Sequence, residues 1–65
     1  MFLHKVLARD IEEKQELFFN AGYVVVRAVY KVDGVLHIAC EDEEEYIFTI
    51  VVDDTMPLTV CHYLP

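Results

Sequence analysis

An Asp33-Gly34 pair separates two runs of strand-forming residues, and this constrains the fold more than any other feature of the chain. The first run, Tyr23 to Val32, holds Val24, Val25, Val26, Val29, Tyr30 and Val32, all β-branched or aromatic. Asp-Gly suits a tight hairpin turn, so the run before it pairs antiparallel with the run after it. The register follows from the apolar pattern. A two-residue loop pairs Val32 with Val35, sets Lys31 opposite Leu36 and Arg27 opposite Cys40, and so mixes charged and apolar groups on one face. A three-residue loop, Val32-Asp33-Gly34 with Gly34 left-handed, pairs Lys31 with Val35. That register gathers Val24, Val26, Ala28, Tyr30, Leu36, Ile38 and Cys40 on one face and Arg27, Lys31, His37 and Glu41 on the other. Since a one-residue slip inverts every side chain, the bulged three-residue turn is expected.

Upstream, Met1 to Arg9 alternates as a strand, with Phe2, His4, Val6 and Ala8 against Leu3, Lys5 and Leu7. The recurrence of Leu3, Leu7 and Ile11 keeps a helix open as the alternative. Asp10 and Glu13 have the spacing of a capping box, and Ile11, Leu17, Phe18 and Ala21 mark an apolar stripe. They predict a helix from Ile11 to Ala21, ended by Gly22 in the left-handed position. Downstream, the acidic run Glu41 to Glu45 leads into a strand from Tyr46 to Val52. Tyr46, Phe48, Ile50 and Val52 form one face of it, Ile47 and Val51 the other; apolar on both sides, it is expected to be central or covered. Asp53 to Pro57 reads as a turn, and Leu58 to Leu64 as a last strand at an edge. The expected fold is a single α+β domain over residues 1–65. One short helix packs on a mainly antiparallel sheet of three to five strands, in β-α-β-β-β-β order.

Sixty-five residues with 55% hydrophobic content, four Phe and four Tyr describe a folded chain, not a disordered one. Its stability is expected near roughly 3–5 kcal/mol, because so small a domain buries little of its surface. A sizeable ligand cleft is hard to hollow from such a core. Val25, Val29, Val35, Ile47 and Val51 give the sheet a second apolar face that one helix cannot cover, which points to a homodimer as the economical explanation and a heterologous partner as the other. Met1 to Arg9 has no signal-peptide pattern, and the run Tyr46 to Val52 is too short to span a bilayer. A cytoplasmic protein is expected, with Cys40 and Cys61 as reduced thiols.

Charge is unevenly placed. Residues 1–31 hold five bases and four acids, a net +1; residues 32–65 hold eight acids and no Lys or Arg, a net −8. That half repels nucleic acid and anionic membranes and attracts a basic protein surface. The run Glu41, Asp42, Glu43, Glu44 and Glu45 is the leading candidate site, because adjacent carboxylates repel one another and ordinary loop chemistry would not select them. With Asp33, Asp53 and Asp54 it would form a negative ridge resembling a phosphate backbone. The bland reading of the same charge is solubility. The run lacks the alternating ligands and the glycine of a calcium loop. His37, Cys40, Cys61 and His62 are of zinc-ligand type, but each pair points to opposite faces of its strand, so no metal is expected.

The chain holds no Ser, its two Gly are taken by a cap and a turn, and both thiols lie in or near the acidic half. No catalytic residue and no cofactor are expected. In overall character, tiny, acidic and without a catalytic motif, the chain is similar to small phage-encoded inhibitors of host nucleic-acid machinery, including anti-restriction and anti-CRISPR proteins. The likeness is one of character, not of a matched motif. The function expected is a protein-binding module. It would be an inhibitor or modulator that shows an acidic, nucleic-acid-mimicking surface to a basic partner, itself a candidate nucleic-acid-binding protein. The alternative is a small assembly protein that oligomerises through the apolar sheet face.

Overall fold

In the computed structural model, which describes residues 1–63, the segment expected as a helix is extended. Six strands form one antiparallel sheet: β1 (Phe2–Leu7), β2 (Glu16–Phe19), β3 (Gly22–Val32), β4 (Val35–Asp42), β5 (Ile47–Val52) and β6 (Pro57–His62). Their order across the sheet is β1-β6-β2-β3-β4-β5. Helical structure among the described residues is confined to a 3-10 turn, Ala8–Asp10. The fold is thus all-β, and the expected α+β class is corrected.

The helical stripe fails for a local reason and a distant one. Between Ile11 and Leu17 every residue is polar, so the stripe misses a full turn. Read with period two, the same residues turn Leu17 and Phe19 inward and Glu16 and Phe18 outward. Leu17 then lies opposite Val24 on β3 and Val60 on β6, so β2 is laddered along both edges. Asn20 and Ala21, at φ 54° and 63°, make a two-residue hairpin loop that joins Phe19 to Gly22. Gly22 opens a strand and caps no helix. Nor does Asp10 form a capping box; the bend after it is closed by Gln15, whose Oε1 accepts the Glu12 amide at 2.9 Å.

The β3–β4 turn has two residues, Asp33 at φ 51° and Gly34 at φ 80°, so Val32 pairs with Val35 and Lys31 with Leu36. The register expected from a three-residue turn is therefore corrected. The pattern does need one extra residue, and it is supplied in mid-strand: Val26 pairs with Cys40 and Ala28 with Ala39, leaving Arg27 as a bulge. Ahead of the bulge Val24 and Val26 face the core. Beyond it the phase changes, so Val29 packs on the core and Ala28 and Tyr30 move to the outer face.

The sheet coils around its inner face, where Leu17, Val26, Ile38 and Cys40 are the largest fully buried side chains. Coiling brings the ring of Phe19 on β2 to 6.0 Å from that of Phe48 on β5, although β3 and β4 lie between them. Ala8 and Ile11 fill the same core from the β1–β2 connection. Each fully buried Leu, Ile or Val among them contributes roughly 1.5–3 kcal/mol by burial.

Two placements differ from expectation. β6 is interior, between β1 and β2, and not an edge strand; Leu64, the expected end of that strand, lies outside the described residues. β5 is the edge, not a central strand, and its outward Ile47 and Val51 are 62% and 55% exposed. The strand alternation expected over residues 1–9 holds for Phe2–Leu7, while Ala8 and Arg9 enter the 3-10 turn; β1 pairs with β6 along its length, and Lys5 Nζ donates to Thr59 Oγ1 at 2.9 Å. No helix among the described residues is long and apolar enough to cross a membrane.

Candidate functional site: the acidic end of the sheet

The acidic run ends β4 with Glu41 and Asp42 and continues as the turn into β5, and Asp42 organises that turn. The Glu45 amide donates to the Asp42 carbonyl at 3.1 Å, and Glu45 is left-handed at φ 66°. This is a three-residue hairpin loop of Glu43, Glu44 and Glu45. The Asp42 carboxylate accepts the amides of Glu44 and Tyr46, each at 2.9 Å. One acid of the run thus holds the loop, and the three after it stand exposed at the tip. Glu41 is also engaged, accepting from Arg27 Nε at 2.8 Å on the outer face. Because Arg27 is exposed, that pair adds at most about 1 kcal/mol.

Register extends the acidic end across the sheet. Glu41 lies opposite Val25, Val25 opposite Glu16, and Glu16 opposite Cys61. Glu16, Tyr23, Val25, Glu41, Asp42, Glu43 and Tyr63 consequently line an open hollow of about 220 Å³. The Tyr63 hydroxyl donates to Glu16 Oε1, and the carboxylate holds the phenolic proton, pushing its pKa up to about 12. Burial, with the Glu16 charge added, raises the Cys61 thiol. The hollow offers a cationic side chain carboxylates at its rim and two phenol rings at its wall. Glu16, Tyr23 and Tyr63 were not singled out in the sequence. Only strand pairing unites them with the acidic run, and no local pattern marks that.

The remaining sequence candidates scatter. Asp33 lies in the β3–β4 turn, and Asp53 and Asp54 precede β6. Leu36 pairs with Val52, so these three acids sit at the far end of β4 from the run, about 24 Å away along the strand. The eight carboxylates form two groups at opposite ends of the sheet rather than one ridge. Among the apolar candidates, Val35, Ile47 and Val51 are exposed on the outer face, Val25 is half-buried at the hollow, and Val29 is turned into the core. Tyr30, stacked on His37 at 5.4 Å, joins the outer face.

The four zinc-type residues are held apart. His37 Nδ1 lies 3.0 Å from the Val35 carbonyl, and Cys40 is fully buried, its thiol pushed up to about 11 by desolvation. Cys61 lies beside Glu16, while His62 stacks on Phe2 at 5.4 Å and lies tilted against His4 at 4.2 Å. Among the described residues no three His, Cys, Asp or Glu are grouped to hold a metal ion. Comparison with known proteins finds no matching family model and no matching curated protein.

Proposed function

We propose that the chain is a protein-binding module that presents the acidic β4–β5 end to a basic surface of another protein, in the manner of an inhibitor that imitates nucleic acid. One observation carries the reading. Three carboxylates, Glu43, Glu44 and Glu45, project from a loop whose backbone is pinned by a fourth, Asp42. A loop kept acidic for solubility alone has no need of a fixed shape, whereas a charged recognition surface gains affinity from being pre-ordered. The adjoining hollow extends the same surface with Glu16, Tyr23 and Tyr63. The reading assigns no catalysis, and it places the protein in the cytoplasm, where free Cys40 and Cys61 stay reduced.

The test is capture from nuclease-treated host-cell lysate by the tagged chain and by a variant with Glu43→Gln, Glu44→Gln and Glu45→Gln. Asp42 and Glu41 are kept, so the loop and the Arg27 pair remain. A basic partner held by the wild type and lost by the variant is expected, and its retention by both overturns the reading. A second reading, self-assembly through the outer face, is favoured by the exposure of Tyr30, Val32, Val35, Ile47 and Val51. Sedimentation equilibrium decides it: a dimer dispersed by Val51→Lys is its signature.

A further inference from the structure

Among the described residues β5 is a free edge, of a kind that folded proteins usually blunt. Such edges carry Lys, Pro, a bulge or a covering segment, because unpaired strand groups invite another strand. The opposite edge, β1, has Lys5 at its centre. β5 runs Ile47-Phe48-Thr49-Ile50-Val51-Val52 with no charge, no proline and no bulge against β4. The bond from the Asp42 amide to the Tyr46 carbonyl sets the phase of the ladder. Alternate residues from Tyr46 onward bond to β4, so Ile47, Thr49 and Val51 turn their N–H and C=O groups away from the sheet. The same three residues show exposed side chains on the outer face.

This edge lies between the two groups of acids. Glu43, Glu44 and Glu45 flank its start, Asp53 and Asp54 its end, with about 17 Å of neutral strand between. We infer that β5 is a docking edge for an extended basic segment of the partner, which adds as a seventh strand. Its backbone would pair with Ile47, Thr49 and Val51, its apolar alternate residues would lie beside theirs, and its Lys or Arg residues would fall at both ends. The charge pattern chooses this occupant. A second copy of β5, paired in either direction, sets acid against acid at both ends. The inference rests on the proposed basic partner and adds how that partner is gripped.

The probe is a synthetic peptide with a pair of lysines at each end and alternating valine and threonine between. Its control has the same sequence with alternate amides N-methylated, which keeps the charge and removes the ladder. Fluorescence anisotropy should show the parent peptide binding at least about tenfold more tightly than the methylated one. Thr49→Pro should weaken the parent by a similar factor, with unchanged circular dichroism, because the Thr49 amide bonds nothing within the sheet. Equal binding of the two peptides, or no binding of the parent, overturns the inference. So does full affinity in a folded Thr49→Pro protein; if that variant unfolds, the methylated peptide alone decides. Dimers that vanish with Thr49→Pro in sedimentation would show another copy on the edge and overturn it too. These outcomes leave the proposed function standing, since that depends on whether the glutamine variant loses the captured partner.

Discussion

Asp42 shows how one residue of a charged run differs from its neighbours in role. Its carboxylate is the acceptor for two loop amides, so Asp42→Ala should lower stability by about 1–2 kcal/mol, whereas Asp42→Asn keeps an acceptor and should lose less than half of that. Urea denaturation midpoints check both; equal losses would deny the carboxylate its loop role. Ala21 is strained in the opposite sense, because φ 63° suits Gly or Asn better than Ala. Ala21→Gly should therefore stabilise the β2–β3 hairpin by about 0.5–1 kcal/mol, read from the same midpoints. Cys40 ties stability to pH. Burial raises its thiol from 9.0 to about 11, so its contribution is complete below pH 9 and lost as pH rises through 11. Wild-type stability should fall between those limits more steeply than that of Cys40→Val, and parallel curves would refute the assignment.

At the scale of elements, the central choices concern which strands are covered. Among the described residues β6 is laddered to β1 and β2, while β5 is laddered to β4 alone. Native-state hydrogen exchange should then find the amides of Leu58 and Val60 protected as a core strand is, and those of Ile47, Thr49 and Val51 exchanging early. The reverse order would restore the arrangement expected from sequence, with Tyr46–Val52 inside and Leu58–Leu64 at the rim. The Arg27 bulge is the other element-scale device. It lets an eleven-residue β3 change the phase of its apolar residues and curve with the sheet, so that Val26 and Val29 both reach the core.

For the whole molecule, charge self-repulsion adds to the conformational entropy that opposes folding. Net charge is −7, and eight acids lie in two groups at opposite ends of β4 and β5. The exposed carboxylates of the Glu43–Glu45 tip repel with little screening at low salt, where the Debye length is roughly 30 Å at 0.01 M. Added salt weakens that repulsion by shortening the Debye length to a few Å near roughly 1 M. Raising salt from about 0.02 to 0.5 M should raise the thermal midpoint by a few degrees, and the triple glutamine variant should show a smaller rise. The same salt series should weaken capture of a basic partner, so stability and binding move in opposite directions.

Some of this protein is legible locally. Alternation identifies β1, β-branched composition identifies β3 and β5, and Asp33-Gly34 marks a turn; of the expected face Tyr46, Phe48, Ile50 and Val52, the last three turn inward, while Tyr46 lies before β5 and is exposed. These are properties of neighbouring residues: pleat period, turn dihedrals and side-chain shape. The acidic run is equally visible, but Glu16, Tyr23 and Tyr63 beside it are not, because strand register brings them there. Residues 11–21 carry helix-cap and strand signals together, and the ladders from β3 and β6 decide for strand. The extra residue needed by the β3–β4 register was legible as a requirement; its location at Arg27 was not, since a bulge and a longer turn correct the phase equally well. Strand order rests on pairings as distant as Lys5 with Thr59, 54 residues apart, and local propensity does not encode which distant edges meet. Sequence alone therefore determined where the chain extends, turns and carries charge. Tertiary pairing decided which strand lies open and which acids share an end, because those depend on backbone bonds between segments far apart in the chain.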